Sequence, residues 1–223
     1  MRLDVNKPAY VIAFAGMVSA VFTAAIMSLH AATYPAVQRN AKLFRERALV
    51  GVFGLGGGQE LTDRQVLETY DRHVRAGPTV TDPRTGTKFE LLEAVDADGK
   101  PLGYALPVSG VGFWARIDGY LAVTPDLRRV LGIAFLDHAE TPGLGGRIAE
   151  PSWRKQFDGL DVTPPPAGGK FLYIGGEETP ATQGRRVDAI TGATGTGNAV
   201  MRFLNQRLAE FRRAAEAGGM TKE

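Results

Sequence analysis

The chain has 223 residues, 44% hydrophobic and 22% charged, enough for one ordinary core and a small appendage. Against 24 acidic residues stand 26 basic ones, a net charge of +2 that is too slight and too evenly spread for a nucleic-acid footprint. The absence of cysteine excludes disulfides, zinc fingers, Cys-ligated iron–sulfur clusters and thiol nucleophiles, so redox chemistry here requires a bound organic cofactor.

The segment Tyr10 to Leu29 carries no charge and is apolar around every side of a helical projection. About 20 residues at a rise of about 1.5 Å cross a hydrocarbon core of about 30 Å, with Arg2 and Lys7 as a basic flank. The pattern predicts a transmembrane anchor over residues 1–30. A buried core helix and a signal peptide cleaved near Ala31-Ala32 are the competing readings, and the run exceeds the usual apolar region of a signal peptide, about 7–15 residues. Arg39, Lys42, Arg45 and Arg47 outnumber Arg2 and Lys7, which opposes a cytoplasmic N-terminus. A long domain is translocated largely regardless of its charges, so charge leaves the side open.

Residues 31–60 form a connector, in which Val37, Leu43, Leu49 and Val50 among basic residues predict an amphipathic helix. Such a helix lies at a membrane surface or packs on a domain. The remaining residues, 61–223, read as one domain. Thr62-Asp63-Arg64-Gln65 is a capping box that opens a helix carrying Val66, Leu67 and Tyr70. From Lys88 the pattern changes to strands: KFELLEAV, a turn at Asp96 to Gly99, LGYALPV, then GFWARIDGYLAVT, a turn at Thr124-Pro125-Asp126, and VLGIAFLD. Four runs with short turns predict an antiparallel meander. A short helix at Pro151 to Phe157, strands at Lys170 to Ile174 and Arg186 to Ile190, and a closing helix at Asn198 to Ala217 follow. In that helix Val200, Phe203, Leu204, Leu208 and Phe211 recur at helical spacing. The fold class is α+β: one N-terminal transmembrane helix, then a single soluble domain with an antiparallel sheet core and flanking helices.

Chemistry concentrates in two loops. Asp188 to Gly197 (DAITGATGTG) runs from a strand end through small residues into the last helix, presenting backbone N–H groups and hydroxyls to an anion at a helix N-terminus. By spelling, TGATGTG matches a nicotinamide-binding turn, but that fingerprint opens a βαβ unit with an acidic residue about 20 positions later. Only 26 residues follow Gly197, and the helix takes most of them. The bland alternative is a helix cap supplied by Thr196 or Asn198. Further upstream, after a predicted strand, lies His138-Ala139-Glu140-Thr141-Pro142-Gly143-Leu144-Gly145-Gly146. Its proline and glycines set a tight loop whose backbone can approach a planar ring; the alternative is a rigid turn with Glu140 satisfied by a neighbouring N–H. No carboxylate cluster accompanies His138, one of three histidines, so a metal site is not expected.

Asp188 followed by Thr191-Gly192-Ala193-Thr194-x-Thr196 resembles the flavinylation motif of the FMN-binding domain family, shared by the NqrC component of the sodium-translocating NADH:quinone reductase and the RnfG component of the Rnf complex. The resemblance implies FMN joined to Thr196 through a phosphoester, with Thr191, Gly192, Ala193, Thr194 and Gly195 forming the cofactor loop. It also implies that a magnesium-dependent flavin transferase recognises Asp188 during maturation. Here the family's usual Ser-Gly-Ala-Thr opening is Thr-Gly-Ala-Thr. Glu-Thr-Pro-Gly-Leu-Gly resembles the same family's other signature, which adds Glu140, Thr141, Gly143, Leu144 and Gly145 to the implied cofactor contacts. Gly112-Phe113-Trp114 resembles the family's glycine-leucine-tryptophan segment; Trp114 would wall the flavin, or else be core. Arg147 to Trp153 resembles NqrC more than RnfG. The implied protein is an electron-transfer component of a respiratory Na+-translocating NADH:quinone oxidoreductase, single-pass in the inner membrane with its soluble domain periplasmic, whose partners are the other membrane subunits. The alternatives are the RnfG component of an ion-translocating ferredoxin:NAD oxidoreductase and a cofactor-free membrane-tethered binding or assembly module.

Overall fold

The computed structural model describes residues 8–180 and 182–220. Arg2 and Lys7, the basic flank of the apolar segment, lie outside the described residues. The chain divides into two units, residues 1–43 and 44–223.

The first unit holds most of helix α1, Pro8–Val52. This helix contains a stretch long and apolar enough to cross a membrane by length and composition, and none of that stretch is buried. Two of its hydroxyls bond back within the helix: Ser28 Oγ donates to the Ala24 carbonyl at 2.7 Å and Thr33 Oγ1 to the Leu29 carbonyl at 2.9 Å. In hydrocarbon such internal pairing avoids the cost of an unsatisfied donor. The apolar segment and the predicted amphipathic segment after it thus lie on one helix, with Pro35 inside it.

In the second unit, Thr62 caps α2, Asp63–His73, by the reciprocal Thr62–Gln65 capping box. The strands β1 (Val74–Thr81), β2 (Lys88–Val95), β3 (Pro101–Val111), β4 (Arg116–Val123) and β5 (Val130–Asp137) make an antiparallel sheet in chain order among the described residues. A 3₁₀ turn at Gly145–Ala149, helix α3 at Pro151–Arg154, a 3₁₀ turn at Lys155–Phe157, the short parallel pair β6 (Tyr173–Ile174) and β7 (Arg186–Val187), and α4 (Thr194–Ala217) follow.

Four of the sheet strands are legible from alternation; β1 is not. Its Gly77 and Pro78 read as breakers, yet the strand sits at the sheet edge and absorbs them in a register shift between Ala76 and Thr79. Edge strands tolerate proline because one row of their backbone groups has no partner strand. The third predicted run begins later than expected, since residues 112–115 form a turn closed by Gly112 N–H on the Ala115 carbonyl at 2.8 Å.

The two sheet faces differ in size. One carries Phe89, Leu91, Leu106, Val108, Ile117, Leu121 and Phe135, which pack with Val200, Phe203, Leu204, Leu208 and Phe211 of α4 in the main core. The other carries Ala94, Ala105, Ala122 and Ala134, against which Leu49, Val52 and Phe53 are buried. Leu92, Ala105, Ala122 and Gly132 are successive partners across four strands. A Cβ at Gly132 would stand 2.8 Å from the Val52 carbonyl oxygen, so the small residues of this row, Ala105, Ala122 and Gly132, are what admit the C-terminal turns of α1. Of the two connector outcomes, packing on the domain is the one adopted from Glu46 to Phe53.

The far end of α4 is tied to the β1–β2 turn. Arg213 Nη2 donates to Asp82 Oδ2 at 2.7 Å and its Nε to Oδ1 at 3.1 Å. The Arg213 guanidinium holds the buried Asp82 carboxyl far below the usual carboxylate range, outweighing the effect of burial. A depressed folded value means the pair stabilises fully above the unfolded value of 3.8 and loses its contribution as pH falls through the folded value. Asp82→Asn is therefore expected to lower Tm at pH 7, with a deficit that shrinks in strong acid. Thermal melts of both proteins at neutral and strongly acidic pH measure it.

Candidate functional site

Three segments far apart in sequence meet at one cleft of about 400 Å³: the 112–115 turn, the loop after β5, and the start of α4. Its walls are Phe113, Trp114, Glu140, Thr141, Leu144 and Gly145 on one side and Gly192 to Thr196 on the other.

Helix α4 begins at Thr194 rather than Asn198, with Ala193 as N-cap and no side-chain cap bond. The reading of Thr196 or Asn198 as a cap is thereby corrected, because Thr196 already lies in the first helical turn. Its hydroxyl is directed elsewhere: Thr196 Oγ1 donates to Glu140 Oε2 at 2.6 Å. The first backbone bond of the helix runs from Gly197 N–H to the Ala193 carbonyl, leaving the N–H groups of Thr194, Gly195 and Thr196 without intrahelical acceptors. These donors and the positive end of the dipole favour an anion there.

Glu140 is the hinge of the site. It is 4% exposed, as is Thr196. Its Oε1 accepts from Phe113 N–H at 2.8 Å and Trp114 N–H at 3.1 Å, while Oε2 takes the Thr196 hydroxyl. Burial pushes this carboxyl up, but the bonds from Thr196, Trp114 and Phe113, with the nearby His138, outweigh it, and the net direction is down. Glu140 is therefore ionised at neutral pH. Glycines make the contact possible. A Cβ on Gly112 would lie 2.4 Å from Glu140 Oε1, and one on Gly145 would lie 2.5 Å from Thr196 Oγ1.

Residues 112–209 match the family model described as FMN-binding domain. This stretch of the chain is similar to an FMN-binding domain. The chain is similar to the NqrC component of the Na+-translocating NADH-quinone reductase of Pseudomonas aeruginosa, 27% identical over 229 residues that cover 85% of each chain. The same component from Pasteurella multocida is 41% identical over 121 residues, covering 52% of this chain and 45% of that one. The crystal structure of Shewanella oneidensis NqrC superposes with a TM-score of 0.60 at 23% identity, covering 77% of this chain and 92% of that one. The corresponding protein from Parabacteroides distasonis gives 0.65 at 20% identity, covering 85% and 98%. These structures share the α+β fold, an antiparallel sheet with flanking helices.

The residues of the matched stretch fit an FMN group. An FMN needs an anion site for its phosphate and an apolar wall for its ring system. The first turn of α4 offers the former. Trp114, 68% exposed, Phe113, 60% exposed, and Leu144 offer the latter. Trp114 is thus not core: it sits in the turn before β4, and its Nε1 donates to Thr141 Oγ1 at 3.0 Å. Gly143 adopts φ +73° and Gly192 φ +78°, the left-handed region that favours glycine.

Of the sequence-derived residues, Trp114, Glu140, Thr141, Leu144, Gly145, Gly192, Ala193, Thr194, Gly195 and Thr196 line the cleft, while Gly143 and Thr191 flank it in sequence and are not among the lining residues. Asp188 also stands outside the lining and is exposed. Its backbone is held firmly, its N–H by Gln156 Oε1 at 2.7 Å and its carbonyl by Trp153 Nε1 at 2.9 Å. Sequence reasoning misses Phe113 as a site residue, although the glycine before it and the tryptophan after it mark the turn. It also misses Trp153 and Gln156 as positioning residues, because nothing local links them to a loop more than 30 residues later.

Proposed function

We propose that this protein is a membrane-anchored flavoprotein subunit that carries FMN on Thr196 through a phosphoester and relays electrons within a Na+-translocating NADH:quinone oxidoreductase. The observation that carries this reading is the meeting of the two loops at one cleft, with the Thr196 hydroxyl at the end of an anion-binding helix turn beside the apolar wall of Phe113, Trp114 and Leu144. The NqrC relatives, the matched FMN-binding domain and the exposed apolar part of α1 support it.

When bound, FMN supplies reversible redox chemistry that no side chain of this cysteine-free chain can provide. The chain's own contribution is positional. The N–H groups at the start of α4 receive the phosphate, the aromatic turn excludes water from one side of the ring, and the sheet holds both loops rigid. Electron donors and acceptors, the ion pathway and the quinone site belong to the other membrane subunits. A flavin transferase makes the ester, recognising the exposed Asp188. The anchor is the apolar segment within residues 1–30, the connector runs through 31–60, and residues 61–223 form the flavin domain, on the periplasmic side of the inner membrane.

Intact mass of the full chain co-expressed with a flavin transferase, followed by peptide mapping of residues 186–202, tests the attachment. The expected result is the mass of one FMN less one water, located on Thr196. An unmodified chain, beside a control substrate that the same transferase loads, overturns it in favour of a cofactor-free module. Trp114→Ala, a change on an exposed side chain, is expected to shift stability by no more than about 0.5 kcal/mol and to leave attachment intact. Flavin fluorescence should rise as the neighbouring indole is lost.

A further inference from the structure

We propose that Glu140 is the base that receives the Thr196 hydroxyl proton as the phosphoester forms, and that it keeps this proton afterwards. The inference rests on FMN attachment at Thr196.

Three features of the contact point to this role. Oε2 already accepts the hydrogen bond of the Thr196 hydroxyl, with Oγ1 2.6 Å away, so neither of these two side chains has to move before transfer. Oε1 is pinned by the N–H groups of Phe113 and Trp114, which fix the carboxylate plane against rotation. Gly112 and Gly145 leave the space that a side chain would deny to either oxygen. A threonine in a first helical turn ordinarily gives its hydroxyl to a cap or to water; here the sequence invests two glycines and a turn to deliver it to a buried carboxylate.

Charge supplies a second, independent argument. Esterification removes the only donor that Oε2 has among the described contacts and places an anionic phosphodiester beside it. An ionised Glu140 would then face a like charge in a buried site, an arrangement that favours protonation of one of the two groups. The carboxyl is the more basic partner. Holding the proton, it can donate to a phosphodiester oxygen.

The step balances without oxidation or reduction. The Thr196 Oγ1–phosphorus bond forms, and the anhydride bond of a flavin phosphoanhydride breaks. The second phosphate leaves as a nucleotide monophosphate, and the Oγ1 proton passes to Glu140 Oε2. Of the groups facing Glu140, His138 is titratable and two residues away, while Thr196, Phe113 and Trp114 present neutral donors.

The test uses the full chain, a flavin transferase and flavin adenine dinucleotide, with FMN incorporation at Thr196 followed by mass. Glu140→Gln keeps an oxygen for Phe113 and Trp114 but cannot take a proton. Incorporation is expected to slow by about 10²–10⁴-fold, the usual contribution of a general base. The ratio of variant to wild-type rate should climb about tenfold per pH unit between pH 7 and 9, because hydroxide must replace the carboxylate; the ratio cancels the pH dependence of the transferase itself. An unchanged rate, or a slow rate whose ratio ignores pH, overturns the role of Glu140 while leaving attachment at Thr196 in place. Failure of the wild-type chain to load at Thr196 removes both readings. Should the variant not fold, infrared spectra of wild-type protein with carbon-13 glutamate carboxyls decide instead. A protonated-carboxyl band is expected to appear on FMN loading, and its absence overturns the assignment.

Discussion

Replacing Thr196 by alanine is expected to abolish covalent FMN completely, whereas Thr196→Ser retains it, both read as intact mass after co-expression with a transferase. Serine keeps the oxygen that Glu140 Oε2 accepts from, at the loss of a methyl group in a buried first turn. Thr196→Val preserves shape but is not a silent deletion of the hydroxyl. It leaves a buried carboxylate oxygen facing a methyl group; an unsatisfied neutral acceptor costs about 1–3 kcal/mol, and a charged one costs more. Urea melts should therefore rank wild type and serine above valine, so that absent flavin in the valine protein is interpreted alongside its measured stability. The serine protein separates the chemistry of the hydroxyl from the packing of the site.

Gly145→Ala is expected to have the second large effect. Its Cβ would fall 2.5 Å from Thr196 Oγ1, 2.8 Å from Glu140 Oε2 and 3.1 Å from Glu140 Cβ, so one partner of the hydrogen bond must move. Overpacking of this kind costs about 1–3 kcal/mol, and the displaced hydroxyl should lower FMN incorporation by the same assay. Gly143→Ala is the internal control. Gly143 has φ +73° and open space around its missing Cβ, so alanine there introduces backbone strain of about 1–2 kcal/mol without touching Thr196. Loss of incorporation in the first variant and not in the second ties the effect to the Thr196–Glu140 contact rather than to loop stability.

These two glycines show how legibility in the sequence divides. That both lie in a glycine-rich turn is readable from the chain; that one protects a hydrogen bond and the other only a backbone angle is not. The same division runs through the fold. β2 and β5 begin and end where the alternation of their residues places them, and the capping box starts α2 one residue after Thr62. Signals of this kind act over a few residues and survive without knowledge of neighbours. β1 escapes because its proline and glycine are tolerated only at an edge, a property of position in the sheet. Local pattern places the start of α4 too late because Thr194 to Gly197 are poor helix formers, and their helical state depends on packing against the sheet and on contacts such as Ile174 with Gly197.

The sequence by itself determined the apolar segment before residue 30, the α+β class, the strands with clean alternation and the two small-residue motifs in their order, because each is written in local periodicity or in residue type. Only the tertiary structure decided that Glu140 meets Thr196 across 56 residues, that the turn at Phe113 and Trp114 clamps the same carboxylate, and that Trp153 and Gln156 hold Asp188. Those pairings depend on strand register and on the close approach that missing side chains at Gly112 and Gly145 permit. Register and approach are properties of the packed sheet and helix together, and no local stretch of the chain contains them.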